Sequence, residues 1–126
     1  IISATCIRVP VTDGHMVSVS VSFETKPSRE QILKSVNNFN PLSKLGLPSS
    51  PKTLIQYLTE ENRPQTNLDR NIGHGLGISM GRLQEDIHFD WKFIAMAHNT
   101  IRGAAGGAIL MAELLVKKGY VQEHTR

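Results

Sequence analysis

Residues Val17 to Glu24 alternate without a break. Val17, Val19, Val21 and Phe23 fall on one side, and Ser18, Ser20, Ser22 and Glu24 on the other. A period of two is the mark of a half-buried β-strand. Asp13-Gly14 lies just upstream. Glycine tolerates positive φ and aspartate bonds its own backbone, so the pair predicts a tight turn. Before it, Ile1–Val11 reads as a first strand, with Ala4, Cys6 and Arg8 on one face by alternation. Pairing of the two strands predicts a hairpin that carries Arg8 and His15 close to one end. A guanidinium clamps a carboxylate through two parallel hydrogen bonds, and an imidazole exchanges protons near neutrality. The pair suits a small anionic substrate undergoing acid–base chemistry. A solvated hairpin edge is the competing reading.

The rest of the chain alternates strand and helix signals. Pro27-Ser28 opens a helix with the capping-box form Ser28-x-x-Gln31. Ile32, Leu33, Val36 and Phe39 form its apolar face, and Asn37, Asn38 and Pro41 stop it. Residues 40–51, with three prolines and Gly46, form an irregular loop. Strands are expected over Thr53–Glu60, Ile78–Leu83 and Trp91–His98. Glu61-Asn62-Arg63-Pro64-Gln65 breaks the chain between the first two of these strands. Gly73-His74-Gly75-Leu76-Gly77 resembles a phosphate loop only superficially. It leads into a strand, whereas a dinucleotide fingerprint opens a helix. A final helix is expected over Thr100–Lys118, capped by Asn99 or Thr100 and stopped by Gly119. Gly103 to Ala108 is a run of small residues, which admits the close approach of another surface: this domain's own sheet, a missing domain or a cofactor. The elements predict an α+β fold, a mostly antiparallel or mixed sheet with helices packed on one face.

Composition narrows the function. The 126 residues are 40% hydrophobic and fit one domain, residues 1–126, with a single core. The net charge of +3 is spread along the chain without a dense basic run, so nucleic acid is not an expected partner. The longest nearly apolar run, Ala104 to Val116, is interrupted by Glu113 and is too short for a bilayer, so no membrane association is expected. The single cysteine fits a reducing compartment and excludes an internal disulfide. Inside a strand, Cys6 reads as a small buried hydrophobe rather than a nucleophile. No metal is implied, because the His and Cys residues do not fall at paired ligand spacing. The chain opens on Ile1-Ile2, with no Met and no charged leader, and is expected to be a fragment of a longer protein.

Four motifs in series carry a resemblance over nearly the whole chain. They are Arg8-Val-Pro-Val-x-x-Gly-His15 with its Val/Ser strand, Arg63-Pro-Gln, Gly77-Ile-Ser-Met-Gly-Arg82, and His98-Asn-Thr-Ile-Arg-Gly-Ala-Ala105. The chain resembles the C-terminal catalytic and dimerisation domain of aspartate-semialdehyde dehydrogenases, in their fungal and archaeal branch. The resemblance implies NADPH-dependent reductive dephosphorylation of aspartyl phosphate to aspartate semialdehyde in lysine, methionine and threonine biosynthesis. In that family a cysteine thiolate attacks the acyl phosphate to form a thioester, which hydride from NADPH then reduces. The nucleophile, the phosphate site and the N-terminal NADP-binding domain would all lie outside this chain, so the chain alone is expected to be inactive. The resemblance assigns Arg8 to the substrate carboxylate, His15 to general acid–base catalysis and Asn99 to the nicotinamide carboxamide. It also implies NADP as cofactor, a homodimer or homotetramer, and a cytoplasmic setting. A malonyl-CoA reductase-like domain and a non-catalytic assembly module are the alternatives.

Overall fold

A computed structural model describes residues 1–122. Four strands form one sheet: β1 His15–Val21, β2 Ile55–Leu58, β3 Ile78–Glu85 and β4 Trp91–Ala97, in the order β1-β4-β3-β2. β4 is antiparallel to both β1 and β3, whereas β2 runs parallel to β3. The mixed α+β sheet expected from the sequence is therefore the observed one. Parallel neighbours need a crossover. The β2–β3 crossover holds a single helical turn, α2 Thr66–Asp69, and a 3₁₀ turn, Ile72–Gly75.

The Val/Ser alternation finds its partner in β4. Val17, Val19 and Val21 stand opposite Ala95, Phe93 and Trp91. At the Trp91 end this face is covered by α1, Arg29–Asn38. Ile32, Leu33 and Val36 of α1 pack on Met80, Leu83 and Trp91, together with Ile55, Tyr57 and Phe93. The capping box forms as read, with Ser28 and Gln31 bonded reciprocally at 3.2 and 2.7 Å. The indole N–H of Trp91 donates to the Pro27 carbonyl at 3.0 Å, tying the helix entry to the core. β3 carries one extra residue between Gly81 and Gln84, where Arg82 adopts φ 56°. Such a bulge bends the strand.

Four expectations are corrected. Ile1–Val11 is not a strand: residues 1–14 join no ladder, and Val11 N–H turns back to the Val9 carbonyl at 3.0 Å across Pro10. The predicted hairpin between this segment and β1 does not form: among the described residues β1 pairs only with β4, its outer edge stays open, and Pro10, which has no N–H to give a ladder, lies inside the local Val11–Val9 turn. Cys6 is accordingly exposed rather than buried. The final helix is also not continuous from Thr100. A π-turn, Ile101–Ala105, precedes α3, Gly106–Lys117, and Ala104 leaves helical geometry at φ −141°, ψ −105°. The carbonyls of His98 and Thr100 accept from the N–H groups five residues on, Gly103 and Ala105, so the regular α-helical ladder starts only at Gly106. α3 is tied to the 40–51 loop by Glu113, which accepts from the Ser49 hydroxyl at 2.6 Å and the Ser49 N–H at 3.0 Å. Among the described residues, no helix is long and apolar enough to cross a membrane.

Candidate functional site

The candidate site is built where β1 begins and β4 ends. His15, the first residue of β1, pairs with Ala97, the last residue of β4, and its side chain is exposed. Asn99 lies two residues beyond Ala97. Its Oδ1 accepts a hydrogen bond from the N–H of Gly14 at 2.9 Å, across 85 residues of sequence. Gly14 is the turn residue immediately before His15, at φ +119°, a conformation that L side chains rarely adopt. The fold thus joins two of the three residues singled out from sequence. The third, Arg8, lies exposed on the extended N-terminal segment, and no strand ladder carries it to the pair. Neither Asn99 nor Thr100 caps the final helix with its side chain. Asn99 instead spends its acceptor on Gly14.

The Gly14–Asn99 contact fixes the chemistry that Asn99 offers. The Gly14 N–H can only donate, so the atom facing it must be the amide oxygen. The amide nitrogen keeps its hydrogens for a carbonyl acceptor such as a carboxamide. Next to it, the Thr100 hydroxyl stands 3.4 Å from Asp13 Oδ1 and 3.2 Å from His98 Nδ1. The Ile101 N–H points at the same ring nitrogen at 3.4 Å. The His98 carbonyl accepts from Gly103 at 3.1 Å, and that of Thr100 from Ala105 at 3.1 Å. These i to i+5 bonds define the π-turn, a form common at functional sites. The small residues of the turn divide into two groups. Gly106 is pressed against Ile101 and Leu76, where a β-carbon would lie 2.9 and 3.1 Å from their side chains. Gly103, Ala104, Ala105 and Ala108 are exposed.

On the opposite sheet face, the segment after β2 packs against Gly81, whose β-carbon would lie 2.5 Å from the Arg63 carbonyl oxygen. Asp69 is 2% exposed and holds this segment together. It accepts from the Arg63 guanidinium in a two-pronged ion pair, with Nε at 3.1 and 2.8 Å from its oxygens, and from the Gln65 N–H at 2.6 Å. The Arg63 hydrogen bonds, aided by the Gln65 N–H, outweigh burial and hold the Asp69 carboxyl below its ordinary pKa. Arg63 therefore has a structural partner, consistent with its having no catalytic assignment from sequence. Gly73 and His74 form a left-handed turn at φ 59° and 56°, and Gly75 follows at φ +81°. The turn leads into β3, as the sequence pattern requires.

Residues 1–102 match the family described as semialdehyde dehydrogenase, dimerisation domain. The chain belongs to this family. It is 44% identical over 126 residues to an aspartate-semialdehyde dehydrogenase of Aspergillus fumigatus, covering 95% of this chain and 35% of that protein. It is 45% identical to one of Schizosaccharomyces pombe, covering 94% of this chain and 34% of that protein. The semialdehyde dehydrogenase dimerisation domain therefore spans about a third of the length of the curated relatives it matches. Among solved structures, it superimposes on aspartate-semialdehyde dehydrogenase with NADP from Candida albicans at a TM-score of 0.79 and 41% identity, over 90% of this chain and 33% of that one. It also superimposes on aspartate-semialdehyde dehydrogenase II complexed with ASA from Vibrio cholerae, at a TM-score of 0.70 and 27% identity, over 90% of this chain and 30% of that one. Sequence reasoning on this domain missed the side-chain contacts of His98, Thr100, Thr66 and Asp69.

Proposed function

We propose that this chain supplies the substrate-binding and dimerisation part of an NADP-dependent aspartate-semialdehyde dehydrogenase. The observation that carries the proposal is the Gly14–Asn99 hydrogen bond, which joins His15 and Asn99, two residues the family resemblance had assigned separately, at one end of the sheet. In this reading His15 is the general acid–base, exchanging a proton with the reacting carbonyl oxygen. Its exposed ring at the start of β1 is placed to meet a substrate from outside the chain. Arg8 pairs with the substrate α-carboxylate. Its segment lacks a ladder, so docking of the remaining protein or of the substrate would hold it in place.

The dinucleotide supplies or accepts the hydride when bound. The residues present fit its nicotinamide end: Asn99 has its oxygen engaged by Gly14 and its amide hydrogens left for a carboxamide oxygen. The thiol nucleophile, the phosphate site and the N-terminal NADP-binding domain belong, in this reading, to the two-thirds of the relatives that the chain does not span. The enzyme serves lysine, methionine and threonine biosynthesis in the cytoplasm. It assembles as a homodimer or homotetramer, in keeping with the family's description as a dimerisation domain and with the exposed Met16, Val17, Ile109, Met111 and Val116.

The test is phosphate-dependent reduction of NADP⁺ by aspartate semialdehyde, measured on the protein that carries this chain and on residues 1–126 in parallel. Activity in the former and none in the latter is expected. A requirement for coenzyme A in place of phosphate would move the chain to a malonyl-CoA reductase-like enzyme. Turnover by residues 1–126 alone would make Cys6 the nucleophile and overturn the assignment.

A further inference from the structure

We infer that the Arg63–Asp69 segment is a brace that positions the Gly14–Asn99 contact, with Thr66 as its point of action. The inference rests on the functional reading above only for its kinetic consequence.

The geometry runs through a series of contacts from Asp69 to Asn99. Asp69 is almost wholly buried and gathers the Arg63 guanidinium and the Gln65 N–H. A carboxylate at one end of a short segment that accepts two donors from the other end fixes its curvature. The segment is seated on the sheet by Gly81, where the Arg63 carbonyl approaches so closely that no side chain fits. Between these anchors, the first residue of α2 presents its γ-methyl to the turn. A β-carbon on Gly14 would lie 3.0 Å from Thr66 Cγ2, 3.3 Å from Thr66 Cβ and 3.5 Å from Met96 Sδ. Gly14 is therefore backed by Thr66 and Met96. From that position its N–H reaches Asn99 Oδ1 at 2.9 Å, and the next residue is His15.

Met96 belongs to β4, is 2% exposed and is fixed by the sheet. Thr66 belongs to a crossover and is fixed by the ion pair. If the brace relaxes, Gly14 gains room to withdraw from Asn99, and the amide loses the partner that orients it. Misplacement of about 1 Å is enough to cost on the order of 10²-fold in rate when a reacting group is involved. Thr66, Arg63 and Asp69 are thus positioning residues that act through Gly14. None of them is proposed to touch substrate or cofactor.

The test uses the protein that carries this chain, with three variants. Thr66→Ser deletes the γ-methyl, Thr66→Val restores one while removing the hydroxyl, and Asp69→Asn weakens the ion pair. Hydrogen exchange of the Thr12–His15 segment is followed by mass spectrometry, with the β3–β4 ladder as internal control. The kcat and the KM for NADP⁺ are measured alongside. The expected result is about tenfold faster exchange at Thr12–His15 in Thr66→Ser and Asp69→Asn, an unchanged ladder, and near wild-type exchange in Thr66→Val. In the two loosened variants kcat falls roughly tenfold or more, with a smaller change in KM. Unchanged exchange at Thr12–His15 in Thr66→Ser overturns the brace, whatever the kinetics. So does faster exchange spread equally over the ladder, which marks general destabilisation. If Asp69→Asn fails to fold, the Ser/Val pair at Thr66 still decides. Faster local exchange with unchanged kcat supports the brace and refutes instead the role given to Asn99 and His15.

Discussion

The proposed function gives the two ends of the Asn99 amide two tasks, and two substitutions separate them. Asn99→Asp keeps an acceptor for the Gly14 N–H, now a charged one, and replaces the amide hydrogens with a second oxygen. Asn99→Ala removes both ends. Gly14 is buried, so Asn99→Ala leaves a backbone donor without its 2.9 Å partner. An orphaned buried donor costs about 1–3 kcal/mol. Asn99→Asp makes the same bond and should stay within about 1 kcal/mol of wild type, given that hydrogen bonds to charged groups are the stronger kind. At the cofactor the order reverses. Aspartate sets an oxygen against the carboxamide oxygen, so the donor bond is lost and a repulsion added. At about 1.4 kcal/mol per factor of ten, the loss of a bond worth roughly 1–2 kcal/mol predicts a fall of about 5- to 30-fold in kcat/KM for NADP⁺, larger in Asn99→Asp by the added repulsion, with Asn99→Ala no worse than Asn99→Asp. Equilibrium urea unfolding and initial rates against NADP⁺ measure both quantities on the protein that carries the chain. Equal loss of stability in the two variants would refute the assignment of Oδ1 to Gly14. Wild-type kinetics in Asn99→Asp would refute the cofactor role of the amide nitrogen.

His15→Ala should lower kcat by roughly 10²–10⁴-fold and leave the unfolding midpoint nearly unchanged, because the ring is exposed. A changed native mass with the rate per dimer spared would favour the assembly reading. Arg8→Lys keeps the charge but loses the planar fork, so the KM for aspartate semialdehyde should rise about tenfold with a smaller change in kcat; an unchanged KM would place the carboxylate elsewhere. Asp69→Ala leaves the Gln65 N–H without its 2.6 Å acceptor and should destabilise the fold by about 1–3 kcal/mol at pH 7. The folded Asp69 carboxyl is depressed below its ordinary value of 3.8 by Arg63 and Gln65, so its contribution is complete above that value and is lost as pH falls through the folded one. The gap in urea midpoint between wild type and variant should therefore hold between pH 5 and 8 and shrink below pH 4. A gap that persists undiminished at pH 2 would refute the linkage.

Local signals fixed most of the elements. Ser28 and Gln31 announced the start of α1 through chemistry confined to four residues, and they bond as read. The Val/Ser alternation announced β1. What local signals could not supply was the partner. Ile1–Val11 is apolar enough to pair with β1, and Asp13-Gly14 is a good turn. The partner β1 takes is instead Trp91–Ala97, some seventy residues away, whose Trp91, Phe93 and Ala95 stand opposite the valines, while the other edge of β1 stays open. Asn99 was recognisable as a junction residue, but its bond to Gly14 spans 85 residues and exists only once the β1–β4 ladder has formed. Thr66 and Asp69 were silent, since a methyl behind a glycine and a buried carboxylate leave no pattern in sequence.

The same ladder makes the site depend on register. With His15 opposite Ala97, Gly14 reaches Asn99. A slip of one residue would move Asn99 along the strand by about 3.3 Å, beyond hydrogen-bond reach of Gly14. It would also turn Val17, Val19 and Val21 away from Phe93 and Trp91 toward the face that carries Ser18 and Ser20. Packing of the half-buried Val19 and Val21 therefore resists the displacement that would separate His15 from Asn99. Substitutions that weaken the alternation far from the site, at Val19 or Val21, act on that register before they act on anything catalytic. The strictness of the Val/Ser pattern is then a property of the site as much as of the core. β1 is an edge strand, at which slippage would otherwise be easy, and this packing is what keeps His15 in register with Ala97.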